Sequence, residues 1–397
     1  MVEIAAVGVA APTGNGLDAV STGLLQAAPT AEVEIGDLRV LTRRANVDVE
    51  SRFRPAVLRR LPRSHQLALA AADDAVSAIP FDLPDPDRCA VSVGVGYGAA
   101  DYTESQLGNF NNKGWRGVNP LAVPLVMPNS IASHLSIEHG FTGPALSHAG
   151  ACAAGTIAIG EAMWLLRTNR ADMVVAGGVD SLLADGVMSF FARMGAMSTN
   201  YDEPDVASRP FDAGRDGFVL GEGAAFVVLT RAQDTQLGAG ERYGSVLGYG
   251  TSSDAHHLVA PPDSGPGAVA SMRAALRDAE LTPGDIGHIN AHGTSTQRND
   301  LAEAQAINEL FGTASPPVTA SKGATGHMIG ASGAFECIAT MQAARAESCP
   351  PVVGLATIDP QITVDVVMDT PRNLTRTIGL SNSFAFGGHN ATLIVDR

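Results

Sequence analysis

Apolar residues fall along this chain in two rhythms. The near-continuous runs "EIAAVGVA", "CAVSVGVG", "DMVVAGGV" and "GAAFVVLT" predict strands covered on both faces. "YGSVLGYGT", "GHINAHG", "PVTASKG", "TIGLSNSFAF" and "ATLIVD" predict more of them further on. Between the strands, "SHQLALAAADDAVSAI", "GTIAIGEAMWLLRTNRA", "GAVASMRAALRDAEL", "LAEAQAINELFG" and "GAFECIATMQAARAE" place apolar residues at helical spacing. The pattern is α/β throughout. The second half echoes the first, each joins strands to helices through glycine-rich turns, and no low-complexity linker separates them. This predicts two related halves, 1–232 and 233–397, in one compact unit.

With 397 residues, 45% of them hydrophobic, the chain can bury a large core. It has no run of about 18 consecutive apolar residues, so no membrane span is expected. The start, "MVEIAAVGVAAPTG", lacks a basic n-region, carries Glu3 and stops at Pro12; it reads as an edge-to-core strand rather than a signal peptide. A net charge of −15 argues against a nucleic-acid partner. Cys89, Cys152, Cys337 and Cys349 are scattered, with no C-x-x-C pair, which fits a reducing cytoplasm and gives no zinc motif. "GVGYGAA" is a lone glycine run with no acidic partner at dinucleotide spacing. No metal or bound cofactor is expected.

Three stretches carry candidate chemistry. In "HAGACAAGT", Cys152 sits among small residues just ahead of a helical pattern. Two readings stand on that context: an inert buried thiol, or a nucleophile whose thiolate is favoured by a helix N-terminus. "NAHGTSTQRND" sets His292 at a strand end before Thr294 and Thr296, and "SKGATGHMIGASGAFE" sets His327 between Lys322 and Glu336. Strand ends running into glycine-rich loops are where α/β folds place their sites. Lys322 is one of only two lysines, with Lys113, in a chain that otherwise uses arginine. His65, His134, His139, His148 and His288 read as core or surface residues. "NSFAFGGHNA" places Phe384 and Phe386 on either side of Ala385, ahead of a Gly387–Gly388 turn.

Together, "GACAAG", "DGFVLGEGA", "NAHGTST", "SKGATGHMIGASGA" and "NSFAFGGHNA" resemble the signature blocks of β-ketoacyl-ACP synthases, in order and over essentially the whole chain. The resemblance is to the elongating type, β-ketoacyl-ACP synthase II and the ketosynthases of type II polyketide systems. It implies a thiolase fold, two similar α/β halves in five αβαβα layers, usually dimeric. Cys152 would take an acyl chain from an acyl carrier protein as a thioester, and His292 and His327 would bind the malonyl thioester carbonyl. Two imidazole N–H donors would stabilise the enolate left by loss of CO₂. The backbone N–H groups of Cys152 and Phe386 would form the oxyanion hole, with Phe386 also the gate. Lys322 and Glu336 would orient His327. Thr294 and Thr296 would bond a phosphopantetheine arm that the carrier protein supplies. Phe218 would face the malonyl site, with Phe384 and Phe191 completing the pocket.

The resemblance also places Arg60, Arg63 and Arg116 at carrier-docking positions. Ser64, Gly117 and Gly195 stand where relatives often carry a basic residue, so the patch is thin and points to a dedicated carrier in a specialised pathway. Two further departures are Ala385 and His389 in "AFGGHN", where the family usually reads "GFGGTN", and Val259 in place of a threonine. Polar Asp101, Thr103 and Glu104 fall in a segment expected near the acyl pocket. The alternative is a non-catalytic subunit resembling a chain-length factor, but such chains lack the nucleophile; this chain would instead be a homodimer or pair with such a factor. A degradative thiolase would need a second cysteine in glycine-rich surroundings, and an initiating synthase would want asparagine where His327 stands.

Overall fold

The apolar runs become the strands of one mixed sheet. The computed structural model describes residues 1–232, 242–312 and 315–397. In the first half the elements are β1 (Val2–Ala11), α1 (Arg63–Ser77), β2 (Cys89–Val95), α2 (Ala100–Lys113), α3 (Ser130–His139), β3 (Ala145–His148), α4 (Ala154–Arg167), β4 (Met173–Asp180), α5 (Asp185–Met194) and β5 (Gly223–Arg231). In the second they are β6 (Gly244–Ser253), α6 (Pro266–Asp278), β7 (His288–Asn290), α7 (Gln297–Phe311), β8 (Val318–Thr319), α8 (Lys322–Thr325), α9 (Ser332–Ala346), β9 (Gly379–Ala385) and β10 (His389–Asp396).

The sheet runs β8-β7-β9-β10-β6-β1-β5-β4-β2-β3. Numbered within its own half, each set of five strands has the spatial order 3-2-4-5-1, and the senses match as well. β3-β2-β4 and β8-β7-β9 are parallel, while the remaining pairs of each half are antiparallel. The two sets meet where Val2–Ile4 pairs antiparallel with Gly244–Val246. The boundary expected at 232/233 opens onto 233–241, which lie outside the described residues.

Helices complete the five layers of a thiolase fold. α1 and α3 cover the outer face of the first half, and α6, backed by α7, covers that of the second. α4 and α9 pack against each other between the halves. Glycine lets them approach: a Cβ on Gly155 would meet the Gly330 carbonyl oxygen at 2.7 Å and the Ala334 nitrogen at 2.8 Å. A buried cluster containing Ile159, Met163, Phe335 and Ile338 fills this layer. Burying apolar area on this scale is the main favourable term for the fold.

Four details differ from the sequence reading. β1 is interior, because β5 and β6, its partners on either side, come from more than 200 residues away. α2, α3 and α5 are helices that the apolar pattern did not announce; in α2 only Ala100 is buried. A hairpin of Ala31–Ile35 and Leu38–Arg43 pairs with Leu220–Gly221 in a separate small sheet. "PVTASKG" is a strand only over Val318–Thr319, and Lys322 opens α8. Among the described residues no helix is long and apolar enough to cross a membrane.

Candidate active site

The two central helices begin alike. Ala151 has φ +46° and opens the 3₁₀ turn Ala151–Ala153 ahead of α4; Ile329 has φ +49° and opens the 3₁₀ turn Ile329–Ala331 ahead of α9. Non-glycine residues rarely take such φ values, and bends of this kind concentrate at functional sites. Cys152 occupies the first turn. Asp180, at the end of β4, binds both loops: its carboxylate accepts N–H groups from Gly96 and Gly330 at 2.8 Å and from Tyr97 and Gly98 at 3.2 Å. Burial raises its pKa to about 6 against the pull of those four donors.

Cys152 is only 3% exposed. Of the two readings open on sequence context, one has the helix N-terminus favour its thiolate and the other has burial keep the thiol. Burial dominates and pushes the thiol up to about 12, with Lys322 opposing, Asp180 reinforcing, and the N–H groups of Phe386 and Cys152 itself pulling down. Those last two donors are the expected oxyanion pair, and they act at the sulfur.

His292 leaves β7 and His327 follows α8. Glu303 of α7 fixes the first by accepting the N–H groups of His292 and Gly293, both at 2.8 Å. His327 donates its backbone N–H to the Val219 carbonyl at 2.7 Å. The rings meet edge to face, 5.5 Å between centroids, and Phe218 packs edge-on to His327 at 5.2 Å. Phe384 closes on His292 at 6.0 Å.

Lys322 serves a different ring from the one expected. Its ammonium donates to the Glu336 carboxylate and to the His292 carbonyl, each at 2.5 Å, and faces His292 Nδ1 at 3.3 Å. Among the described residues the ammonium bonds only Glu336 and His292, because the start of α8 lies beside the end of β7. His327 is oriented by the Ile329 N–H, which donates to its Nδ1 at 3.2 Å. Both imidazoles therefore accept at Nδ1 and carry their proton on Nε2. Burial, with Lys322 adding repulsion, holds both pKa values well below 6.5.

The sequence's three candidates converge. The Cys152 sulfur and one ring nitrogen from each of His292 and His327 lie within 4.8 Å of one another. Such a trio is also close enough to share a metal ion. Lys322 and the Ile329 N–H, donating at Nδ1, place the ring protons on Nε2. A cavity of about 390 Å³ leads from this trio outward past Phe386, Thr294 and Thr296 to Arg298.

Comparison with known proteins gives the lineage. The family models "Beta-ketoacyl synthase, N-terminal domain" and "Beta-ketoacyl synthase, C-terminal domain" match residues 1–235 and 243–356. The chain belongs to the β-ketoacyl synthase family. It is accordingly a condensing acyltransferase. It is 36% identical over 356 residues to the 3-oxoacyl-[acyl-carrier-protein] synthase 2 of Staphylococcus aureus (strain N315), an alignment spanning 89% of this chain and 86% of that one. Identity to the Mycobacterium bovis protein of the same name is 38% over 314 residues, 79% and 75% of the two chains. Among solved structures it superposes on a β-ketoacyl synthase from Burkholderia phymatum (TM-score 0.91, 29% identity, 100% and 99% covered). It matches the ishigamide ketosynthase/chain length factor equally well (TM-score 0.91, 27% identity, 100% and 98% covered).

Of the remaining expected residues of this ketosynthase, some line the cavity and others do not. Thr294 and Thr296 line it, their hydroxyls 2.9 Å apart. Phe191 is off the wall and packs on Phe218, centroids 5.8 Å apart. Arg60 and Arg116 are exposed, the latter lying over the Trp115 ring. Arg63 is not a docking group: its guanidinium pairs with buried Glu222 at 2.9 Å and donates to the Ala45 carbonyl at 3.1 Å. The polar groups expected near the acyl pocket are spent on the scaffold. Asp101 accepts the Arg63 N–H, Glu104 the Gly186 N–H, and Thr103 bonds the Ala99 carbonyl. Asp180 and Glu303 were missed. Their partners are mostly backbone N–H groups, which no side-chain pattern reveals, with the Asn382 amide adding one bond to Glu303 at 3.3 Å.

Proposed function

We propose that this ketosynthase elongates carrier-bound acyl chains by decarboxylative Claisen condensation. In the first step Cys152 attacks an acyl-carrier thioester. The sulfur–carbonyl bond to Cys152 forms, the bond to the carrier sulfur breaks, and the thiol proton leaves on the carrier. The N–H groups of Cys152 and Phe386 stabilise the tetrahedral oxyanion. In the second step malonyl-carrier loses CO₂, and the Nε2–H groups of His292 and His327 hold the enolate oxygen. The carbanion then attacks the acyl group, and the expelled Cys152 thiolate regains a proton. Lys322 and Glu336 act through His292 as positioning residues.

The observation that carries this reading is the meeting of one sulfur and two neutral, donor-bearing imidazoles at the closed end of a cavity. It also speaks against a non-catalytic chain-length-factor role, for which no nucleophile is needed. An acidic carrier protein would dock at the exposed arginines, and the subunit would pair with a copy of itself or with a chain-length-factor-like chain. The thin basic patch and the likeness to the ishigamide ketosynthase/chain length factor favour a specialised polyketide or polyene pathway over housekeeping fatty-acid synthesis. Four free, buried cysteines suit a reducing cytoplasm.

Intact-mass analysis after incubation with a panel of acyl-carrier thioesters tests the reading. A single acyl adduct on the wild type, absent from Cys152→Ala, is expected. His292→Ala and His327→Ala should still acylate but fail to condense. Full elongation by Cys152→Ala would sink the proposal.

A further inference from the structure

Arg298 is a cation placed where folding does not want one. It sits in the first turn of α7, where the helix dipole disfavours positive charge. It is exposed, and among the described residues no hydrogen bond, ion pair or ring contact engages it. Yet it lines the same cavity as Cys152, His292 and His327. Those three are buried and Arg298 is not, so the guanidinium stands at the open end.

Its surroundings leave that charge unspent. The cavity also touches Asp216 and Asp254, but both are engaged elsewhere. Asp216 accepts from Ser198 Oγ at 2.6 Å and the Thr199 N–H at 2.9 Å, and Asp254 accepts from the Asn390 amide at 2.7 Å. His257 adds a second donor to the wall. Its Nδ1 accepts the Val259 and Ala260 N–H groups, both at 3.1 Å, which fixes its proton on Nε2. A pantetheine arm that delivers a thioester to the closed end has one charge of its own, the phosphodiester at its far end. That charge must remain at the mouth.

We propose that Arg298 forms an anion subsite for the phosphodiester of the incoming phosphopantetheine arm, with His257 as a supporting donor. The subsite rests on the reading of Cys152 as acyl acceptor. A guanidinium fork suits phosphate oxygens in a paired geometry that lysine cannot match.

The test compares S-hexanoyl-pantetheine with S-hexanoyl-4′-phosphopantetheine as donors, following Cys152 acylation by intact mass at low ionic strength. The wild type should prefer the phosphorylated donor by about tenfold, the size of one charge-assisted contact. Arg298→Ala should bring the ratio close to one, and Arg298→Lys should keep part of it. Equal wild-type rates, or a ratio that survives Arg298→Ala, would overturn the subsite alone. A loss confined to intact acyl-carrier protein would make Arg298 a contact to the carrier's protein surface rather than to the phosphate, and would overturn the subsite too. Acylation from neither donor would overturn the reading of Cys152, and the subsite with it.

Discussion

Lys322 and Glu336 are both fully buried, so neither charge has water to fall back on. Removing one member of such a pair strands the other. Glu336→Ala should therefore cost roughly 3–5 kcal/mol, read from the urea midpoint. Glu336→Gln keeps the shape and should cost less while still loosening Lys322 from His292; condensation should slow more than acylation of Cys152. Equal loss of both steps would mean the pair merely supports the fold. The histidines give a second expectation. Their folded pKa values lie well below 6.5, so they are neutral through the physiological range and stay neutral as pH falls past 6.5. The pH profile of kcat/KM for the malonyl substrate should show no acidic limb near 6.5, only one at lower pH. Their neutrality adds stability that is present above pH 6.5 and lost as pH falls through the folded values. Asp180 and Glu303, raised to about 6 and 7, carry the opposite sign: their contribution is lost as pH rises through those values. Melting curves sum the two, so the kinetic profile is the cleaner measurement. At this scale Cys152, His292 and His327 were legible because glycine-rich surroundings and strand-end positions marked them. The ring that Lys322 serves was not, since spacing along a loop does not say which of two histidines lies above it. Arg63 was misread for a similar reason: its partner Glu222 is 159 residues distant.

The elements that bear these residues are held by close backbone approach rather than by large side chains. Gly155, on the first turn of α4, rests against Gly330 in the turn ahead of α9 and Ala334 on α9 itself. An added methyl has nowhere to go, because two of the three atoms it would strike are backbone. Gly155→Ala should cost on the order of 1–3 kcal/mol, the usual penalty for overpacking. By parting α4 from α9 it should also slow Cys152 acylation while the protein remains folded; a differential scan alongside intact-mass kinetics would show both. An unchanged melting temperature would mean that the loops, not the helices, set the separation. Strands in this layer were legible because burial on both faces makes them apolar throughout. α2 and α3 were not, because "ADYTESQLGNFNNK" and "SIASHLSIEH" have no clean apolar stripe. The hairpin strand Ala31–Ile35 escaped because none of its residues is buried.

At the scale of the molecule, β3 has, among the described residues, a strand partner only on the β2 side, so one row of its backbone groups faces outward. Open strand edges invite pairing, and proteins normally cover or blunt them. The nearby surface does the reverse. Leu107, Phe110, Leu121, Val123 and Met127 are all exposed along α2 and the short helix Ala122–Val126, which contacts both α2 and α3. α3 in turn packs on β2 and β3. An apolar surface beside a free edge, in a chain carrying a net charge of −15, is costly to leave in water unless another chain buries it. The wild type should therefore run as a dimer in light scattering at micromolar concentration, and Val123→Glu with Met127→Glu should shift it to half that mass. If the wild-type chain alone is monomeric and doubles in mass only with a chain-length-factor-like polypeptide, the face belongs to a heterodimer. A monomer that gains no mass with either partner would show that β3 and the apolar stretch before it meet solvent, and the dimeric architecture would have to be given up.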